Sequence, residues 1–210
     1  GTLDMDWADL DNDGDLDLAL ASTVGLSVYV SDGGLLEQLW SDPQARTVFG
    51  VRWIDVNNDG APELVAVGTP TGSSGGANHV FRYDPTALQA PDRFGLMPNG
   101  LFTTAEQLTR IETGRFNDDD LPDLLLSVNA ISAECPVFIL YNEGANLFRG
   151  TPKCVSGAGS AALSAADMDL DGELDAALGL FPNQIRVFLG SNGVLTQTNP
   201  AANTVFVDAP

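Results

Sequence analysis

"DLDNDGDLD" (residues 9–17) packs five carboxylates into nine residues, and whatever holds them together decides the fold. Asp stands at loop positions 1, 3 and 5 (Asp9, Asp11, Asp13), Gly at position 6 and Asp17 at position 9. In a tightly turning loop alternate side chains converge on one point, and the carbonyl of position 7, here Asp15, can join them. Hard oxygen ligands in that number suit Ca²⁺ at about 2.3–2.6 Å, whereas Mg²⁺ demands a stricter octahedron. Gly14 permits the sharp turn. Three windows stand in register with the first: "DVNNDGAPE" (55–63), "RFNDDDLPD" (115–123) and "DMDLDGELD" (167–175). Together the four hold 17 of the 29 acidic residues, a clustering that a merely solvated surface lacks.

The windows recur at intervals of 46, 60 and 52 residues, a period of propeller blades or solenoid turns. Each is followed by a short apolar run ("LALAS", "LVAVG", "LLLSV", "AALGL"), then a second ("LSVYV", "HVFRY", "VFILY", "IRVFL"), then a turn signal. Those signals are Asp32-Gly33, Asp84-Pro85, Asn142-Glu143-Gly144 and Ser191-Asn192-Gly193. Short runs rich in β-branched and aromatic residues between turn residues read as antiparallel strands. Each unit is a small meander with its acidic loop between the first two strands. Such a unit cannot bury both faces alone, so the units must pack on one another.

An EF-hand shares D-x-D-x-D-G but needs a bidentate acid at position 12 and helices on both sides. Position 12 here is Leu20, Ala66 and Leu178, and strands flank the loops. D-x-D-x-D-G-x-x-D between two strands instead resembles the FG-GAP or VCBS repeat, the blade unit of integrin alpha-subunit propellers. The second unit, "VFGVRWIDVNNDGAPELVAVGTP", is the closest match, with Phe49-Gly50 ahead of the loop and Gly68-Thr69-Pro70 behind it. The resemblance implies an all-β fold of four four-stranded antiparallel blades, approximately 1–45, 46–103, 104–158 and 159–210, within one propeller domain. It also implies Ca²⁺ in three loops. The ligands carried over are Asp9, Asp11, Asp13, Asp17 and the Asp15 carbonyl; Asp55, Asn57, Asp59, Glu63 and the Ala61 carbonyl; and Asp167, Asp169, Asp171, Asp175 and the Glu173 carbonyl.

The third loop departs from the pattern. Arg115 replaces the first acid and Asp120 the Gly, while Asn117, Asp119, Leu121 and Asp123 keep their places. The Arg115 guanidinium can supply the positive charge itself. The expectation is a metal-free loop with Arg115 beside Asp119 or Asp123, and Asp120 in a left-handed turn. Propellers of this family usually have seven blades. The tail "NPAANTVFV" (199–207) resembles "DPQARTVFG" (42–50), which leads into the second unit. Either residues 204–207 close a four-bladed ring on the first blade, or the chain is part of a larger propeller of about seven blades.

Net charge is −20, with eight Arg and the single Lys153, so nucleic acid and anionic membranes are poor partners. No apolar run approaches the roughly 18 residues of a membrane span. Cys135 and Cys154 lie symmetrically about a hairpin turn near Gly144, which places them opposite each other and suits a disulfide. A disulfide implies a secreted or cell-surface protein. His79, the one histidine, has no marked catalytic partner, and the Gly-rich run 68–78 lacks the Lys of a phosphate loop. Residues 85–102 read as a loop folded over a blade edge, and Trp7 and Trp53 as packing between blades. The expected function is non-enzymatic: a calcium-stabilised extracellular propeller for binding or adhesion, with a protein or glycan ligand at the cell surface. The alternatives are a lectin-type propeller and an accessory propeller of a larger secreted enzyme.

Overall fold

A computed structural model describes residues 1–42, 47–69, 76–87, 90–104, 107–128, 135–156, 160–180, 184–191, 194–197 and 204–206. Parts of the Gly-rich run, of both tail-like passages and of the turn at 191–193 lie outside them. Among the described residues seventeen strands make four antiparallel sheets. The first holds β1 (Thr2–Ala8), β2 (Asp17–Ser22), β3 (Gly25–Asp32) and β4 (Leu35–Ser41), paired in that order. The second holds β5 (Thr47–Ile54), β6 (Glu63–Thr69), β7 (Gly76–Tyr83) and β8 (Phe94–Thr104). The third holds β9 (Leu108–Gly114), β10 (Asp123–Val128), β11 (Val137–Leu140) and β12 (Lys153–Ser156). The fourth holds β13 (Ser160–Ala166), β14 (Asp175–Leu180), β15 (Gln184–Ser191) and β16 (Val194–Gln197), with β17 (Thr204–Phe206) also paired to β15. Every acidic window lies between the first and second strands of its sheet, so all four loops share one rim.

Period-two alternation gives each sheet two apolar faces, and one packing scheme recurs between neighbours. Ala19, Ala21, Leu26 and Val28 of blade 1 meet Val51, Trp53, Leu64, Ala66 and Phe81 of blade 2. Val65, Val67 and Val80 of blade 2 meet Ile111, Leu124, Leu126 and Phe138 of blade 3. Leu125, Val137 and Ile139 of blade 3 meet Leu163, Ala165, Ala176, Leu178 and Phe188 of blade 4. Each blade therefore has a donor face, centred ten and twelve residues after its loop begins, and a receiving face of the intervening residues and the first strand. Gly50 marks how closely the inner strands approach, since a Cβ there would sit 2.6 Å from Ile111 Cγ2 and 3.0 Å from Val67 Cγ2.

Polar clips reinforce the inner strands. Asp4 accepts hydrogen bonds from the Val51 amide (3.1 Å) and Arg52 (2.8 Å), and Asp6 accepts one from the Trp53 amide (2.7 Å). Arg52 also donates to Glu112 at 3.1 Å, so one guanidinium joins three blades. Cys135 and Cys154 form a disulfide that ties the entry of β11 to β12.

Two expectations need correction, and one of the two alternatives for the tail is removed. Trp53 is buried between blades as expected, but Trp7 is 45% exposed, because no blade among the described residues covers its face. Residues 94–104 form the outer strand β8, where a folded-over loop was expected. A bulge hid it: Phe81 pairs with Leu96 but His79 pairs with Leu101, so Met97 to Gly100 swell out around Pro98 and the left-handed Asn99 (φ 58°). Residues 204–206 pair with β15 of the fourth sheet, so they do not close the ring on blade 1. Among the described residues, no strand of the first sheet packs on the fourth as β1 packs on β5.

Candidate metal centres

The loops are built around their ninth residue. Asp17 is buried, and its two oxygens accept the amides of Leu10 and Ser31, each at 2.8 Å. Asp123 repeats this with Phe116 and Asn142 (both 2.9 Å), and Asp175 with Met168 (2.6 Å) and Gly190 (2.8 Å). One carboxylate thus ties the loop's second residue to the end of the third strand. Glu63, longer by a methylene, accepts the Val56 amide (3.1 Å) and the Asn57 side-chain amide (3.2 Å). These bonds are a structural role that the ligand pattern did not announce.

The first residue closes the turn from the other side. Asp9 accepts from the amides of Asp13 (3.2 Å) and Gly14 (3.1 Å), Asp55 from Asp59 (3.0 Å) and Gly60 (2.8 Å), and Asp167 from Asp171 (3.1 Å) and Gly172 (3.0 Å). The fifth residue accepts the amide two places on: Asp13 from Asp15, Asp59 from Ala61, Asp171 from Glu173. These loops need positive φ at positions 4 and 6, met by Asn12 (59°) and Gly14 (96°), Asn58 (57°) and Gly60 (91°), Leu170 (64°) and Gly172 (95°). Asn tolerates that region and Gly favours it; a Leu there costs roughly 1–2 kcal/mol.

The carboxylates converge. Asp9, Asp11 and Asp17 each bring an oxygen within 4.8 Å of the others, and Asp167, Asp169 and Asp175 do the same. Among the described residues no ion pair reaches either group. Desolvation and then the neighbouring Asp13 and Asp17 raise the Asp11 carboxyl above its usual range, and Asp169 is raised likewise beside Asp171 and Asp175. In the second loop burial pushes Glu63 up to about 7, with Asp59 and Asp55 adding to the rise. Arg82 meets Asp59 at 3.4 Å, an exposed pair of small worth. Oxygen-only donors in a shared repulsive field fit a hard divalent cation.

The third loop has a different backbone. Neither Asp118 nor Asp120 takes positive φ, so the expected left-handed turn at Asp120 is not formed. Position 1 is Arg115, whose side chain offers no oxygen to accept the amides that Asp9, Asp55 and Asp167 hold. Arg115 pairs with Asp120 at 3.6 Å, both side chains largely exposed, and not with Asp119 or Asp123. Those two are engaged: Asp119 accepts from Leu121 (2.9 Å) and Asn117 (2.9 Å), and Asp123 is the buried tie. Burial pushes the Asp123 carboxyl up to about 6.

Between neighbouring loops the rim opens two crevices. Tyr83 borders one of about 150 Å³ with Asp11, Asn12 and Arg82. Gly190 borders one of about 270 Å³ with Arg115, Asp118 and Glu173. Between the second and third blades Asn142 reaches across to donate to the Val56 carbonyl at 2.7 Å.

Four-stranded meanders stacked face to face, with acidic loops along one rim, define a β-propeller. Residues 9–66 match the family model of the FG-GAP-like repeat. Among solved structures, a crystal of BBS1N in complex with ARL6DN, soaked with lead, superposes with a TM-score of 0.63 at 14% identity, covering 97% of this chain and 56% of that one. A mercury-soaked crystal of the same complex gives 0.55 at 14%, covering 97% and 53%. The chain thus spans about half the length of these propeller structures. No curated protein matches the sequence.

Proposed function

We propose that the chain is a non-catalytic, calcium-stabilised propeller module that presents its rim to a partner protein outside the cytosol. The observation that carries the reading is the convergence of Asp9, Asp11 and Asp17, matched by Asp167, Asp169 and Asp175, on points that no basic side chain among the described residues neutralises. Bound Ca²⁺ supplies that neutralisation. Asp9, Asp11, Asp13, Asp17 and the Asp15 carbonyl hold the first ion. Asp55, Asn57, Asp59, Glu63 and the Ala61 carbonyl hold the second, and Asp167, Asp169, Asp171, Asp175 and the Glu173 carbonyl the third. Arg115 leaves the third loop metal-free.

A protein partner is favoured by two things: a propeller of the same fold was crystallised in complex with another protein, and the rim is broad and crevice-lined. The Cys135–Cys154 disulfide supports a secreted or surface location, where Ca²⁺ is abundant. A glycan ligand has less behind it, because the place of Tyr83 beside Asp11 and Asn12 is taken by Asn142 and Gly190 in later blades, so no aromatic platform repeats.

Equilibrium dialysis with elemental analysis tests the metal reading: three Ca²⁺ per chain are expected, falling by one in each of Asp9→Ala, Asp55→Ala and Asp167→Ala. Arg115→Asp is expected to add a site. Arrays of extracellular proteins and of glycans, probed in Ca²⁺ and again in chelator, test the binding reading. Protein binding lost in chelator supports it; glycan binding alone favours the lectin, and no binding on either array refutes both.

A further inference from the structure

The second loop differs from the first and fourth in what its carboxylates already hold. In all three the fifth residue spends Oδ1 on the amide two places on, which leaves its Oδ2 for an ion. Among the described residues no ion pair reaches Asp13 or Asp171, whereas Oδ2 of Asp59 meets a guanidinium nitrogen of Arg82 at 3.4 Å. Strand register makes Arg82 the counterpart of Val30, Tyr141 and Leu189. Leu64 pairs with Phe81 just before it, as Leu18 does with Tyr29, Leu124 with Leu140 and Ala176 with Phe188. Of these four residues Arg82 alone is charged. The rest of the loop runs the same way. Asn57 stands where Asp11 and Asp169 carry charge, and its side-chain oxygen accepts the Asp59 amide at 2.8 Å. Glu63 is held at both oxygens, by Val56 and Asn57. Three carboxylates converge in the first and fourth loops, and among the described residues the second loop forms no such group.

We infer that Arg82 is a tethered counter-ion of the second loop, which an incoming Ca²⁺ displaces from Asp59. This loop therefore fills last, and its filling turns the guanidinium into the crevice that Arg82 lines with Asn12 and Tyr83. The inference rests on the calcium reading above and adds to it an order of filling and a moving side chain. Arg82 has 61% of its side chain exposed, so it turns without repacking the core. An ion brings two charges to Asp59 where the guanidinium brings one, which decides the exchange once Ca²⁺ is plentiful. The rim thus carries two ions that hold loops in order and one whose arrival changes the charge of a crevice open to a partner.

A Ca²⁺ titration of the nitrogen-15-labelled 210-residue chain, started in chelator and followed by NMR, provides the test. The amides of Gly14, Gly60 and Gly172 are held by Asp9, Asp55 and Asp167, so each reports its own loop. Gly60 is expected to titrate at higher Ca²⁺ than Gly14 and Gly172, with the Arg82 Nε–H resonance moving alongside it. Arg82→Gln should lower the Gly60 midpoint by about two- to five-fold, as fits an exposed ion pair, and leave the other two in place. The neutral Val30 and Leu189 at the same register show that the fold tolerates this change, and the same spectra verify it. Arg82→Lys keeps the charge and keeps Gly60 late. The proposal is overturned by a Gly60 that titrates with or before the others, stays silent while they respond, or ignores Arg82→Gln. An equal shift of all three glycines in Arg82→Gln overturns it too, as the mark of a general charge effect, and so does an Arg82 resonance unmoved while Gly60 titrates. Each of those results leaves calcium binding elsewhere in the chain standing. Three glycines that all ignore Ca²⁺ overturn both readings.

Discussion

The acidic residues of one loop differ in how much of the fold they hold besides any ion. Asp17 is buried with both oxygens on backbone amides, while Asp11 is exposed and lies among other carboxylates. Asp17→Ala strands two buried amides, so it should already cost about 2–4 kcal/mol in chelator. Asp11→Asn should change stability by less than about 0.5 kcal/mol in chelator. In ten-fold excess of Ca²⁺ over its dissociation constant the same change should cost roughly 1.4 kcal/mol. Urea unfolding in both buffers checks the contrast; an equal loss in both would make Asp11 a folding residue. Leu170 offers a gain: it is 85% exposed at φ 64°, where the equivalent loops use Asn12 and Asn58. Leu170→Asn should therefore stabilise the chain by about 1 kcal/mol, read as a higher melting temperature. The ligand pattern was legible because coordination chemistry fixes residue type and spacing. The amide-tying role of the ninth residue was not, since ligand and staple call for the same carboxylate.

Strands were legible to the degree that their neighbours left their alternation intact. Strands buried on both faces stand out as apolar runs, as in the third blade, where β10 is buried throughout Asp123–Val128 and β11 throughout Val137–Leu140. β8 was not legible, because its bulge placed Pro98, Asn99 and Gly100 inside a strand and imitated a loop. Trp7 misled in another way: sequence position equates it with Trp53, but burial depends on a neighbour that position cannot supply. Equally hidden was Arg52, whose partners Asp4 and Glu112 lie 48 and 60 residues away. Removing it leaves two half-buried carboxylates facing each other on the inner strands. Arg52→Ala should cost about 2–3 kcal/mol, less than a fully buried pair would. A double-mutant cycle with Asp4→Asn measures the coupling, and strict additivity would show that the clip contributes nothing.

At the scale of the whole molecule the three proposed sites should act together. On the proposed calcium reading, with millimolar Ca²⁺ and a dissociation constant of about 10⁻⁴ M, each site should contribute roughly 1.4 kcal/mol and three about 4 kcal/mol. That is a large part of an ordinary folding margin of about 5–15 kcal/mol. Chelation should lower the melting temperature by about 10 °C, given roughly 2–4 °C per kcal/mol for a chain of this size. Mg²⁺ should restore little of it, since its small octahedral shell suits waters better than many protein oxygens. A thermal scan unmoved by chelator, with metal loss verified by elemental analysis, would show that packing between sheets suffices.

The packing scheme also bears on ancestry. Donor and receiving residues stand at fixed steps from each loop, so a tandem duplication of one unit of about 50 residues creates a new join already complementary at both ends. Such a gene can lengthen without a coordinated change elsewhere, and each added copy is then free to depart from the loop pattern, as the unit with Arg115 departs at its first position.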